Sequence, residues 1–67
     1  MRLKLIQLRE AAKQTQQTTS EAVGISRSHY SQIETGDKDP SLKVGLRIKS
    51  FFKYKKDDIF FNSERPV

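Results

Sequence analysis

Two short polar segments, each closed by a glycine, constrain the fold of this chain more than any other feature. The first runs from Thr15 to Val23 and is followed by Gly24. The second begins after Ser26 and is closed by Gly36. Ser and Thr are favoured at the start of a helix, and glycine is favoured directly after its last turn. These signals predict two helices of two to three turns, joined by a tight turn.

The sequence leaves the start of the first of these helices open. Thr15 can cap a helix that begins at Gln16, whereas Thr18 with Glu21 three residues later can form a capping box. The helix is short with either start. Its tight junction with the next helix at Gly24 is the arrangement that a helix-turn-helix requires.

The remaining segments also favour helices. Residues 1–14 have apolar side chains at helical spacing and predict an amphipathic helix. Residues 36–39 predict a turn, after which Asp39 and Pro40 read as an N-cap followed by proline at the first helical position. We expect this helix to reach about Phe52, with four core candidates: Leu42, Leu46, Ile48 and Phe52.

A last helical turn is expected where two carboxylates suit a helix N-terminus. Asp57 and Asp58 would open it, and Ile59 and Phe60 would fold back onto the core. The sequence therefore predicts one all-α domain of five short helices over 1–67. Its core would span about 3–60, and 61–67 would form a tail.

Composition excludes several classes of protein. The chain has 67 residues, no cysteine and a single histidine, so we expect no metal site and no cofactor. It has neither a run of about 20 apolar residues nor a signal peptide, which predicts no membrane association and a cytoplasmic protein. No nucleophile and base are placed to act together, and no small-molecule ligand is evident. The protein is expected not to be an enzyme.

The net charge of +5 indicates an anionic partner, and it is unevenly distributed. Residues 43–56 hold six basic side chains and no acidic one. Residues 14–42 hold two basic side chains against four acidic ones. Charge alone does not choose between duplex DNA, RNA, a membrane and an acidic protein, and a well-solvated surface is the simpler alternative.

The second helix of the tight pair carries groups that can read base edges. Arg27, Ser28 and Gln32 share a face; Arg pairs with guanine, Gln pairs with adenine, and Ser can donate or accept. The alternative is that they are ordinary polar surface residues.

Longer motifs bring these observations together. Thr15-Gln16, Gly24, Ser26-Arg27-Ser28, the run from Ser31 to Gly36 and Asp39-Pro40-Ser41-Leu42 stand in the order and spacing that is typical of one family. Over about residues 3–60 the chain resembles the Cro/CI-type helix-turn-helix repressors of bacteria and phages. The resemblance implies a compact five-helix, lambda-repressor-like domain whose third helix enters the major groove of duplex DNA.

The resemblance also implies roles for individual residues. Three residues fall where the family reads bases: Arg27, Ser28 and Gln32. Four are candidates for contact with the DNA backbone: Gln16, Thr35, Lys38 and Lys43. His29 is a fifth candidate from its place at the start of the third helix, with an ordinary, partly exposed histidine as the alternative. Arg9 and Glu34 fall where the family often has a structural ion pair between the first and third helices.

Five positions depart from the family. Gln14, Thr19 and Ser20 are more polar than is usual there, and the other two lie in the helix expected after Pro40. Gly45 stands where a larger apolar residue is usual, and we expect Phe51 and Phe52 to fill the space. Lys49 stands where a small buried Ala is common. It is expected to extend its ammonium to solvent or to accompany a slight rotation of the helix.

Apolar residues at both ends of the domain suggest a symmetric dimer built from Phe60 and Phe61, with Leu3 or Ile6. The alternative is that Phe60 and Phe61 cover the core of the monomer. The function predicted is a sequence-specific DNA-binding repressor, acting as a homodimer on a palindromic operator. A protein-interaction module of the same fold and a non-specific nucleic-acid binder are the alternatives.

Overall fold

The computed structural model describes residues 1–61 and holds four α-helices. They are α1 (Leu3–Ala11), α2 (Gln16–Val23), α3 (Arg27–Thr35) and α4 (Leu42–Phe52). A single 3-10 turn, Asp58–Phe60, follows α4, and no strand occurs within 1–61. The all-α prediction is confirmed, but the count of five helices is not, since residues 1–61 hold four α-helices and one 3-10 turn. The segment expected to be the fifth helix is only one 3-10 turn, and residues 62–67 of the predicted tail lie outside the described part.

Side-chain caps and left-handed glycines define α2 and α3. The Thr15 hydroxyl accepts from the Thr18 amide at 3.0 Å, and the Thr18 hydroxyl accepts from the Thr15 amide at 3.0 Å. The capping box therefore joins Thr15 to Thr18, and Glu21 takes no part in it. Gly24 and Gly36, with φ of 78° and 92°, end the two helices in a conformation that glycine adopts without strain.

The start of α4 differs from the prediction. The hydroxyl of Ser41, not the carboxylate of Asp39, caps the helix by accepting from the Val44 amide at 3.2 Å. Asp39 is instead paired with the guanidinium of Arg2. Because this partner lies 37 residues away, local capping preferences could not reveal it.

The predicted core of α4 is wrong in part. Val44 and Ile48 are buried, whereas Leu42 is 82% exposed and Leu46 is 54% exposed. An α-helix turns by about 100° per residue, so positions 44, 48 and 52 form one stripe and positions 42 and 46 form another. The first stripe faces the core, and Phe52 packs at its edge.

All four helices and the 3-10 turn contribute side chains to the core. Helix α2 packs on α3 and α4, and α1 packs on α3 and the 3-10 turn. Each fully buried aliphatic or aromatic side chain contributes roughly 1.5–3 kcal/mol. Seven residues form this core: Leu5, Val23, Tyr30, Ile33, Val44, Ile48 and Ile59.

The space at Gly45 is filled from the 3-10 turn. A Cβ placed on Gly45 would lie 3.6 Å from a ring carbon of Phe60, which is ordinary van der Waals contact. The expectation that Phe51 and Phe52 occupy this space is wrong, because within residues 1–61, apart from the chain neighbours of Gly45, only Phe60 has side-chain atoms within 4 Å of that position. The rings of Phe51 and Phe52 lie against each other, with centroids 5.0 Å apart. Lys49 reaches the surface and binds Asp57 at 2.7 Å.

A polar cluster fastens the 3-10 turn to α1. Asp58 accepts hydrogen bonds of 2.7 Å from the Lys4 ammonium and 2.7 Å from the Tyr54 hydroxyl. The hydrogen bond from Lys4, followed by that from Tyr54, lowers the pKa of Asp58 below its ordinary value.

Candidate nucleic-acid interface

Helix α3 has one anchored face and one open face. Tyr30, Ile33 and Glu34 are buried against the other helices. Arg27 and Ser28, in the first turn, are exposed, and Gln32 is half-buried one turn further on. Side chains of the core and of α1 and α2 therefore fix how the open face is presented.

The three predicted base-reading side chains are uncommitted. Within residues 1–61, no hydrogen bond or ion pair involves the side chains of Arg27, Ser28 or Gln32. The Gln32 carbonyl, by contrast, accepts from the backbone amides of Gly36 and Lys38 and so shapes the loop after α3. The donors and acceptors of these three side chains are free for a ligand.

Arg9 and Glu34 lie together, with Nε of Arg9 2.7 Å from Oε2 of Glu34. Glu34 is 2% exposed, and a second nitrogen of Arg9 lies 3.4 Å from Oε1. The hydrogen bond from Arg9 to Glu34 raises the pKa of Arg9. Arg9 also donates to the Gln14 carbonyl at 2.9 Å. Beside the pair, burial raises the pKa of Tyr30. The pair thus ties α1 and the loop before α2 to α3.

Gln16, the first residue of α2, joins the same cluster. Its Nε2 donates to Oε1 of Glu34 at 2.9 Å, and its side chain is half-buried. Sequence reasoning placed Gln16 at the DNA backbone and Glu34 in an ion pair, but nothing in the spacing indicated that they touch.

The other candidate backbone contacts surround α3. Lys38 in the following loop and Lys43 in the first turn of α4 are exposed, and neither has an ion-pair partner within residues 1–61. The Thr35 hydroxyl lies 3.1 Å from the Gln32 carbonyl oxygen and 3.2 Å from an Asp37 carboxylate oxygen. His29 is half-buried, and only its backbone amide serves as a capping donor.

The proposed dimer residues divide into two groups. Leu3 and Phe61 are exposed, whereas Ile6 is half-buried and Phe60 packs on the core of its own chain. The structure adds an apolar surface that the sequence did not indicate. A groove of about 390 Å³ lies between α4 and the 3-10 turn. Its apolar lining residues are Pro40, Leu42, Leu46 and Phe60, and its charged ones are Arg2, Asp39, Lys49 and Asp57.

Arg2 is the residue that sequence reasoning missed most completely. Although charged, it is 4% exposed. Its guanidinium donates to the carbonyls of Ile33 at 2.6 Å, Lys38 at 3.1 Å and Phe60 at 2.8 Å, and to Asp39 at 2.5 Å. These acceptors lie 31 to 58 residues away in sequence, so no local motif could have found them.

Residues 1–61 contain neither a cluster of three metal-ligating side chains nor a helix that is long and apolar enough to span a membrane.

The chain is similar in sequence to known helix-turn-helix proteins. A helix-turn-helix family model matches residues 5–59. An uncharacterized HTH-type transcriptional regulator of Methanocaldococcus jannaschii is 40% identical over 60 residues, which cover 90% of this chain and 91% of that protein. One of Bacillus subtilis is 36% identical over 64 residues, 96% of this chain and 97% of that protein.

A third similar protein, from Archaeoglobus fulgidus, bears the same description. It is 33% identical over 67 residues, covering 100% of this chain and 94% of that protein. No solved structure matches the chain significantly. On the family model and these relatives, the chain belongs to the Cro/CI-type helix-turn-helix family of DNA-binding transcriptional regulators.

Proposed function

We propose that this protein is a repressor that binds a palindromic operator in duplex DNA as a homodimer. The observation that carries the proposal is the two-faced construction of α3. One face is held by the core and by Glu34, while Arg27, Ser28 and Gln32 on the other face have no partner within residues 1–61.

The open face suits direct readout of the major groove. In helix-turn-helix proteins, the N-terminal residues of the second helix of the motif contact base edges. Arg27 is the first residue of α3, and its guanidinium can donate two hydrogen bonds to the O6 and N7 of one guanine. Gln32 can pair with adenine, and Ser28 can bond to either kind of base.

Attraction to the duplex would come from elsewhere on the surface. Residues 14–42, which include α3, hold two basic and four acidic side chains. Lys38 and Lys43 are exposed and suited to phosphate contacts, which carry affinity but no sequence information. Charge would supply affinity in this scheme, and the open face of α3 would supply selectivity.

The homodimer is proposed from the exposed apolar side chains of the groove between α4 and the 3-10 turn. Leu42 and Leu46 are the exposed apolar side chains along its wall, and Phe61 at the adjoining end of the chain's described part is 67% exposed. On a palindromic operator, such a dimer has to place its two copies of α3 on half-sites about one helical turn apart. An occupied operator would then exclude RNA polymerase sterically.

Selection of bound sequences from a random duplex pool, repeated at two salt concentrations, tests the proposal. We expect one palindromic motif to be enriched at both. Enrichment of no motif, with affinity that falls steeply as salt rises, would instead identify a non-specific nucleic-acid binder.

The exposed Leu42 and Leu46 also suit a second function, binding to a partner protein of complementary apolar surface. That function predicts no salt-dependent binding to the pool. The same selection therefore distinguishes the two functions.

A further inference from the structure

The buried carboxylate of Glu34 accepts hydrogen bonds from two other helices. Arg9 of α1 reaches both of its oxygens, at 2.7 Å and 3.4 Å. Gln16 of α2 donates to Oε1 at 2.9 Å. Glu34 itself belongs to α3, so a single side chain joins the anchored face of α3 to the first residue of α2.

The chemistry of this contact fixes the orientation of the Gln16 amide. An ionised carboxylate can only accept hydrogen bonds, so it must face the NH2 group of Gln16 and not its carbonyl oxygen. The NH2 group has two hydrogens, and Glu34 takes one of them. Within residues 1–61 the Gln16 side chain makes no other hydrogen bond. The second hydrogen is therefore left for a further acceptor.

A DNA phosphate is also an acceptor only. If the amide of Gln16 were turned by 180°, its carbonyl oxygen would meet the phosphate and no hydrogen bond could form. Glu34 would repel a phosphate if it were unpaired, but Arg9 supplies the opposite charge at 2.7 Å. The three side chains together thus present an oriented, uncharged donor at the N-terminus of α2.

We propose that Glu34 is a positioning residue for DNA binding, which holds the Gln16 amide with one N–H directed to a backbone phosphate. This inference rests on the proposed function, because it requires that the protein bind duplex DNA. It goes beyond a structural role for the Arg9–Glu34 pair. Glu34 would then affect affinity through Gln16, in addition to any effect on folding.

A double-mutant cycle in DNA affinity tests the proposal. The variants are Gln16→Ala, Glu34→Gln and the two combined, measured on the duplex enriched by selection and on an unrelated duplex of equal length. We expect each single change to weaken binding about tenfold on both duplexes. The combined variant should be no weaker than either alone. Any effect that Glu34→Gln has through Arg9 cancels in the cycle.

The chain offers a matched control on the same helix. Gln17 donates to Glu21 at 2.7 Å, which is another amide-to-carboxylate pair, but both residues are exposed, and within residues 1–61 neither side chain has a hydrogen bond or ion pair to α3. A cycle of Gln17→Ala and Glu21→Gln should show no coupling in DNA affinity.

A measurement on the unaltered protein covers the case in which Glu34→Gln does not fold. In nuclear magnetic resonance spectra, the two Nε2 protons of Gln16 should be distinct. On addition of duplex, only the proton that is not bound to Glu34 should shift strongly. Equal shifts of both protons would overturn the proposal, as would additive losses in the cycle. The proposed function is tested separately, by the affinity of the unaltered protein for the two duplexes. If that protein did not prefer its selected duplex, the proposed function would fail, whereas additive losses in the cycle would overturn only the role of Glu34.

Discussion

The guanidinium of Arg2 donates a 2.6 Å hydrogen bond to the carbonyl oxygen of Ile33, in the last turn of α3. The Arg2 amide donates to the next carbonyl, that of Glu34, at 2.7 Å. Carbonyls near the C-terminus of a helix lack partners within the helix, and a cation there also complements the helix dipole. A residue before α1 thus holds the end of α3.

Arg2→Met is expected to lower the free energy of unfolding by more than about 2 kcal/mol. The substitution keeps an unbranched chain in the buried position but leaves carbonyl groups without a donor, which costs more than the hydrogen bonds contribute. Urea denaturation followed by circular dichroism measures the change. Lys55→Met, at an exposed position without an ion-pair partner among the described residues, is the control and should leave the midpoint unchanged.

Arg27→Ala should weaken binding to the selected operator by about 1–3 kcal/mol and relax the preference at one base pair. Its stability to urea should not change, because Arg27 contacts nothing else within residues 1–61 through hydrogen bonds or ion pairs. Binding titrations on the operator measure the loss of affinity, and a repeat of the selection with the variant measures the base preference. An unaltered base preference would remove Arg27 from the reading residues.

Lys43→Ala is the complementary variant. It should weaken binding to all duplexes alike and lower the slope of log affinity against log salt by about 0.9, since it would remove one phosphate contact. Titrations at several salt concentrations on two unrelated duplexes provide the test. A loss confined to one of the duplexes would contradict the assignment.

Stability is expected to fall in acid partly through Asp58. Hydrogen bonds from Lys4 and Tyr54 lower the pKa of Asp58 in the folded state below its ordinary value of 3.8. The folded state therefore holds this proton less tightly than the unfolded chain does. The resulting stabilisation is complete above the ordinary pKa and is lost as the pH falls through the lower, folded value.

The measurement for Asp58 is thermal unfolding between pH 6 and pH 2. Asp58→Asn should have a shallower fall in melting temperature than the unaltered protein over the acid part of this range. Lys4→Met should also reduce the slope, because Lys4 is the larger cause of the shift. Identical slopes for all three proteins would contradict the prediction.

Leu42→Ser combined with Leu46→Ser should convert the proposed dimer into a monomer. Both side chains are largely exposed, so their replacement should leave the fold intact while removing apolar area from the interface. Sedimentation equilibrium gives the mass, and circular dichroism gives the helix content. Persistence of a dimer would exclude the groove, and Phe61→Ser would then test the adjoining end.

The sequence was sufficient to predict α2 and α3, because the interactions that end them are local. Gly24 and Gly36 predict where α2 and α3 end, and Ser26 predicts where α3 begins. For α2, Thr15 was one of the two starts that the sequence allowed. These signals are readable because a capping side chain bonds to a residue only three positions away. The closing segment also packs as expected, with Ile59 buried. Its single 3-10 turn, however, is shorter than a helix.

The start of α4 was predicted wrongly because a residue distant in sequence binds the expected cap. Asp39 and Pro40 form a sound local signal for a helix start, but the Asp39 carboxylate is engaged by Arg2, and Ser41 takes the capping role. Likewise, Gln16 and Glu34 meet only because α2 and α3 pack together. The sequence therefore predicted which residues belong to the candidate site, but, apart from the pair of Arg9 and Glu34, it did not predict which of them contact each other.

The division of α3 into an anchored and an open face has an evolutionary consequence. Tyr30, Ile33 and Glu34 hold the helix, while Arg27 and Ser28 contribute no buried contact. Substitutions at the open positions can therefore accumulate without loss of the folded state. Duplicated copies of such a gene could diverge to new operators by one or two exchanges, each copy keeping the same scaffold.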